Sequence, residues 1–129
     1  MPVIRCTSKL LADIDDPPLP DSSTPTRSPI GDWYGHIFTV DRRKCVLFIN
    51  EPTLFVCPAF GVVKSDYRRI VPFFLDVLTW TLRNMLFPDN EVAWLLDHHT
   101  DLTIGRTVNR STVGSMNNRI ADAKHMFQW

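Results

Sequence analysis

The sequence predicts an α+β fold, in which a mainly antiparallel sheet contains a three-stranded meander and the helices pack mostly on one face. Strand-like runs in the centre of the chain are separated by short turns, and such turns join antiparallel neighbours. Apolar residues recur at helical spacing in the second half. The chain has 129 residues, of which 44% are hydrophobic. This length and composition indicate a single domain with a packed core.

The N-terminal part combines a strand, a short helix and a loop. Val3–Cys6 has the composition of a strand, and Thr7 or Ser8 is a suitable N-cap for the helix that follows. Five prolines mixed with Asp, Ser and Thr occupy residues 15–30. Because proline removes backbone donors and this segment has little to bury, we expect an extended proline-rich loop within the single domain 1–129.

The central part predicts the meander. Its strands are Trp33–Val40, Cys45–Ile49 and Leu54–Cys57, and Pro58 is expected to end the third. The charged turn Asp41–Lys44 joins the first two strands. The uninterrupted apolar run of the second strand is typical of a central strand that is buried on both faces.

Helical periodicity dominates the rest of the chain. Ser65 is an expected N-cap for a long helix that Pro88 ends, and Pro72 either separates a first turn from this helix or kinks it. The remaining predicted elements are a helix to about His98, a strand over Asp101–Thr107 and a last helix from about Ser111.

Composition argues against several classes of protein. The net charge is zero, whereas a protein that binds nucleic acid through its overall charge is basic. Cys6, Cys45 and Cys57 show no C-x-x-C spacing, so we expect neither a disulfide framework nor a zinc site. The N-terminus lacks the sustained apolar region of a signal peptide. The longest apolar-rich stretch, Ile70–Leu82, is broken by Pro72 and Asp76 and is too short and too polar to span a bilayer. We therefore expect a cytoplasmic protein with no metal, no cofactor and no membrane contact.

The polar segment Asn109–Asn117 is the main candidate site. It contains a glycine and opens the last helix, where free N–H groups and the helix dipole favour an anion or a polar partner. The candidate binding residues are Arg106, Asn109, Arg110, Ser111, Thr112, Ser115 and Asn117. In the simpler interpretation, Asn109 or Ser111 only caps the helix, and Gly114 and Ser115 allow close packing on the sheet. No Walker A pattern is present.

Histidines and nucleophiles provide weaker candidates. His98 and His99, next to Asp97 and Asp101, could perform acid–base chemistry or bind metal, but the H-E-x-x-H spacing is absent and a solvated helix end is favoured. His36 lies between aromatic residues in a strand, which is typical of a structural histidine. Ser111, Ser115, Cys45 and Cys57 are available nucleophiles, but none has a G-x-S-x-G or triad-like context.

Two basic clusters are candidates for phosphate contact. One is Asp41–Lys44, and the other comprises Lys64, Arg68 and Arg69. A solvated turn is the favoured interpretation of the first cluster, since Asp41 supplies its own counter-charge. The two clusters could act together if the fold places them on one face.

Three stretches of the chain resemble a family of small bacterial proteins catalogued only as a domain of unknown function. They are Ile4–Leu11, the stretch from Gly31 to Trp33 continuing through Asp41–Phe55, and Asn109–Asn117. The resemblance covers most of the chain in order. It implies a bacterial single-domain protein for which the third stretch is a hallmark, and it implies no activity.

Two functional hypotheses follow. The favoured one is a small accessory protein that acts as a macromolecular interaction module through residues 109–117, with another protein as the expected partner and a homodimer left open. The alternative is an enzyme that acts on a phosphate-containing substrate, RNA or a nucleotide, from a toxin–antitoxin or defence locus. In that case Arg106, Arg110 and Ser111 would hold the phosphate, and a histidine would be the acid or base.

Overall fold

The computed structural model describes residues 3–15, 31–99, 102–107 and 110–126, with 122–126 described by their backbone alone. The predicted proline-rich loop, from residue 16 onwards, lies outside these residues. The elements are β1 Val3–Cys6, α1 Ser8–Leu11, β2 Trp33–Val40, β3 Arg43–Asn50, β4 Val56–Val62, α2 Lys64–Tyr67, α3 Ile70–Asn84, α4 Asp89–Asp97, β5 Thr103–Arg106 and α5 Arg110–Met126.

In the described part of the chain, the strands form one sheet in the order β4-β3-β2-β1-β5. The β2–β3 and β3–β4 pairs are antiparallel, whereas β1 is parallel to both of its neighbours, β2 and β5. The α+β prediction is therefore confirmed, but the mainly antiparallel sheet is wrong because the sheet is mixed. Short turns reveal the direction of strands that they join, and β1 is joined to β2 by a long segment.

The β2–β3 hairpin turns more tightly than expected. Asp41 and Arg42 have φ angles of 49° and 65°, and Val40 pairs with Arg43. Two consecutive positive φ angles between paired strands define a type I′ turn. Arg43 and Lys44 consequently belong to β3, and the turn itself has two residues instead of the predicted four.

The third strand of the meander is displaced along the chain. It was predicted over Leu54–Cys57, but Leu54 has a φ of 59° and lies in the turn, and β4 runs over Val56–Val62. Pro58 lies inside this strand and does not end it. The edge position of β4 explains this, because an edge strand does not need every N–H group for pairing.

The two faces of the sheet bury separate apolar clusters. Residues alternate between them: Trp33 and Ile37 lie in the cluster covered by α1–α4, whereas Tyr34 and Phe38 lie in the cluster covered by α5. On β3, residues 45–50 are all buried, which confirms the predicted central strand. Among the described helices, α5 covers one face and the other four cover the opposite face.

Local capping signals are only partly as predicted. The Thr7 hydroxyl accepts the Leu10 N–H at the start of α1, as expected of an N-cap. Ser65 instead lies inside α2, and the Asp66 carboxylate accepts the Val63 N–H at 2.9 Å. Pro72 falls in the first turn of α3, where the missing N–H costs little, so the break between α2 and α3 precedes it.

Candidate functional site

A buried ion pair lies next to the end of β5. Arg5, in the middle of β1, is 1% exposed, and its Nε donates to Asp32 Oδ2 at 2.8 Å. The other Asp32 oxygen accepts the Val3 N–H at 3.1 Å, and Arg5 Nη1 donates to the Arg106 carbonyl at 3.2 Å. Since a buried charge needs a partner and further hydrogen bonds, these contacts fix β1, the start of β2 and the end of β5 relative to one another.

Two further groups connect this pair to α5. The Glu51 N–H donates to the Asp32 carbonyl at 2.9 Å. Thr112, 4% exposed in the first turn of α5, donates from its hydroxyl to Glu51 Oε2 at 3.5 Å. We call Arg5, Asp32, Glu51 and Thr112 the Arg5 network. It places a carboxylate, that of Glu51, against the N-terminal turn of α5, where the helix dipole favours negative charge.

The helix separates the predicted binding residues into two groups. Thr112 points into the sheet with Met116 and Ile120, which belong to the buried cluster on that face. The exposed residues Arg110, Ser111, Gly114, Asn117 and Asn118 form what we call the outer face of α5. Ser115 is half-buried between the two groups, Arg106 is exposed at the end of β5, and Asn109 lies outside the described residues.

Gly114 lies in open space on the outer face. A Cβ atom added to it would have no heavy atom of the described chain within 4 Å, beyond its neighbours and the backbone of the helix. The interpretation that Gly114 allows close packing on the sheet is therefore wrong. Glycine costs about 1 kcal/mol relative to alanine in a helix interior, and no contact within the described chain requires it here.

His99 is not part of a solvated helix end, contrary to the sequence prediction. It is 1% exposed and its Nε2 accepts the Trp33 indole N–H at 3.0 Å. Its Nδ1 lies 2.6 Å from the Leu95 carbonyl, which can only accept, so Nδ1 carries the hydrogen. Burial lowers the pKa of His99, so the ring is neutral at pH 7. His98 is half-buried, with Nδ1 2.8 Å from the Trp94 carbonyl.

His36 lies on the other face of the sheet. It shares the face of Tyr34, whereas His99 contacts Trp33 on the opposite face. The fold therefore separates His36 from the His98–His99 pair. The His36 Nδ1 is 2.6 Å from the Thr7 hydroxyl, which provides the partner expected of a structural histidine.

The basic clusters meet at one end of the sheet, but they are accompanied by acids. Lys44 Nζ lies 3.7 Å from Asp13 Oδ2, which also accepts the Tyr67 hydroxyl at 3.0 Å, so β3 and α2 are adjacent there. Arg68 Nε lies 3.6 Å from Asp15 Oδ2. These interleaved carboxylates favour a solvated surface of mixed charge over a phosphate site.

The cysteines are buried, as small hydrophobic residues in strands are expected to be. Cys6, Cys45 and Cys57 are all free thiols. Burial raises the pKa of both Cys6 and Cys57 to about 12, so neither forms a thiolate nucleophile at neutral pH.

Within the residues that the structure describes, no three His, Cys, Asp or Glu side chains are grouped closely enough to hold a metal ion. In the same part of the chain, no helix combines the length and the apolar character that crossing a bilayer needs.

Comparison with known protein families assigns the chain to one of them. The family described as Domain of unknown function (DUF6933) matches residues 3–128. The chain belongs to this family. Neither a curated protein nor a solved structure matches it. The family carries no described activity, so any function must be inferred from the site itself.

The match confirms that the chain belongs to a family of unknown function, as the sequence resemblance predicts. The fold brings one or two residues from each of the three stretches into the Arg5 network. Arg5 comes from the first stretch, Asp32 and Glu51 from the second, and Thr112 from the third. Sequence reasoning missed Arg5, Asp32 and Glu51 as members of the site. The available signal was Arg5 itself, since a charge within the short apolar strand Val3–Cys6 requires a partner.

Proposed function

We propose that this chain is a cytoplasmic bacterial accessory protein that binds another protein through the outer face of α5. The observation that carries the proposal is Gly114. It is exposed in the interior of a helix, and no described part of the chain approaches the space that a side chain would fill. A partner that packs closely against the helix backbone would account for a glycine at this position.

The outer face is supported by a well-anchored helix. Thr112, Met116 and Ile120 are buried at spacings of four residues, and all three lie on the side facing the sheet. The Arg5 network then ties the first turn of α5 to β1, β2 and the turn after β3. Because these contacts hold α5 in place before a partner binds, little conformational entropy of the helix is lost on binding, which favours affinity.

The charge of the face indicates the chemistry of the partner. Arg110 is the charged residue of the outer face of α5, and it is exposed. The exposed amides of Asn117 and Asn118 can both donate and accept hydrogen bonds. A partner with an acidic, hydrogen-bonding surface is complementary to this face.

The alternative, an enzyme that holds a phosphate with Arg106, Arg110 and Ser111, has less support. Glu51 already places a carboxylate near the N-terminal turn of α5, and a phosphate beside it would be repelled. His99 contacts Trp33 and the Leu95 carbonyl on the face of the sheet opposite α5, so it does not reach a phosphate held by residues 106–111. His36 lies on the α5 face, and its Nδ1 is engaged by the Thr7 hydroxyl at 2.6 Å.

The test is partner binding by variants of the outer face. The partner is first isolated from cells of the source organism with the full chain, and its affinity is then measured by calorimetry. Gly114→Gln should weaken binding by about tenfold or more because its side chain occupies the contact. Glutamine has a better helix propensity than glycine, so the variant should fold. Arg110→Ala should also weaken binding, through loss of charge.

Arg83→Ala is the matched control, since it removes an exposed cation from α3 on the opposite face of the sheet. It should bind as the wild type does. If Gly114→Gln and Arg110→Ala both bind the partner with wild-type affinity, the proposal fails. If they instead disrupt a homodimer measured by sedimentation, the partner is a second copy of the chain.

A further inference from the structure

A cavity of about 380 Å³ lies on the face of the sheet opposite α5. Trp33 and His99 form part of its lining, together with Leu78 and Leu82 of α3 and Leu95 of α4. Trp33, His99, Leu78 and Leu82 are each at most 4% exposed, so core residues form the floor of the cavity, which is open to solvent. We call it the His99 cavity.

The lining of the His99 cavity is mainly apolar and uncharged. Phe55 and Phe87 add aromatic surface, and no Asp, Glu, Lys or Arg is among its lining residues. His99 is the titratable group there. It is held as a neutral ring because its Nδ1–H donates to the Leu95 carbonyl and its Nε2 accepts the Trp33 N–H. A charged ligand would therefore lose its hydration without gaining an opposite charge.

The polar atoms are concentrated at the turn after β3. The Thr53 hydroxyl donates to Asn50 Oδ1 at 2.8 Å and accepts the Phe55 N–H at 3.2 Å. Since a hydroxyl oxygen has two lone pairs, Thr53 can accept one further hydrogen bond. Thr53 is exposed, which places this acceptor at the solvent side of the cavity.

We propose that the His99 cavity binds a neutral, mainly apolar molecule of one or two rings that carries at most one hydrogen-bond donor. An apolar cavity of about 150 Å³ holds one benzene ring, so about 380 Å³ has room for two fused rings. Pockets of this size with apolar and aromatic walls and few polar groups are typical of small-molecule sites. The cavity and the outer face of α5 lie on opposite faces of the sheet, so each can be tested independently.

The test uses 1-fluoronaphthalene as the neutral two-ring probe and 4-fluoro-1-naphthoate as its charged counterpart. Titration of the full chain is followed by ¹⁹F NMR of each probe. We expect saturable broadening and a shift for 1-fluoronaphthalene, and affinity for the naphthoate lower by about tenfold or more. Intermolecular NOEs from the bound probe to the Leu78 and Leu82 methyl groups should locate it in the cavity.

Leu95→Trp fills the cavity from α4 and should reduce the affinity for 1-fluoronaphthalene by about tenfold or more. Ala93→Trp, at an exposed position of the same helix outside the lining, is the matched control and should bind as the wild type does. Absence of saturable binding, or bound probe without NOEs to Leu78 and Leu82, would overturn the proposal. The NOE measurement uses the wild type, so it decides the matter even if Leu95→Trp does not fold.

Discussion

Replacing Gly114 with alanine should stabilise the protein. The added Cβ meets no heavy atom of the described chain within 4 Å, so the substitution causes no steric penalty. Alanine is favoured over glycine in a helix interior by about 1 kcal/mol, because glycine loses more conformational freedom on folding. We expect the free energy of unfolding to rise by about 0.5–1 kcal/mol, which corresponds to about 2–4 °C in Tm for a chain of this size.

The assay is urea denaturation followed by far-UV circular dichroism. An unchanged m-value would show that the wild type and the variant expose the same surface area on unfolding, so that their free energies of unfolding can be compared. Gly35→Ala is the control of opposite sign. Its Cβ would lie 3.1 Å from Leu10 Cδ2 and 3.2 Å from the Phe48 ring. Overpacking of this kind costs about 1–3 kcal/mol. A loss of stability in Gly114→Ala would refute the reasoning, since it would mean that the chain itself contacts Gly114.

Two further predictions concern buried polar groups. Arg5→Met should lower the free energy of unfolding by about 3–5 kcal/mol because it leaves the Asp32 carboxylate buried without its cation. The Arg5→Met/Asp32→Asn double variant should lose clearly less than the sum of the single losses in urea denaturation, and additive losses would contradict the ion pair. Burial lowers the pKa of His99 below 6.5, so its contribution to stability is intact above that pH and is lost as the pH falls. As the pH falls below 6.5, the wild type should therefore lose stability relative to His99→Gln, by no more than about 1.4 kcal/mol per pH unit, and equal slopes would contradict this.

The first two strands of the meander and the last helix could be predicted because their signals are local. The alternation of residues along Trp33–Val40 and the apolar run Cys45–Ile49 reflect the faces that each strand buries. The start of α5 was predicted to within one residue, at Arg110 instead of Ser111. In each case, residues close together in the sequence are enough to explain why the element forms.

Strand direction and the state of His99 could not be predicted in this way. The direction of β1 relative to β2 cannot be read from their connection, because it is long and only a short turn requires antiparallel strands. His99 was assigned to solvent because it follows a helix end, yet Trp33, distant in sequence, covers it and donates to its ring. The residues near His99 in the sequence do not reveal that Trp33, which belongs to β2, contacts it in the folded protein.

The candidate site combines both kinds of information. Its helix, its polar composition and its glycine are properties of the sequence between Asn109 and Asn117. Tertiary structure alone decided that Thr112 points inward to Glu51 and that Gly114 points outward into open space. The reason is that helical periodicity fixes which residues share a face, whereas the neighbouring sheet determines which of those faces is buried.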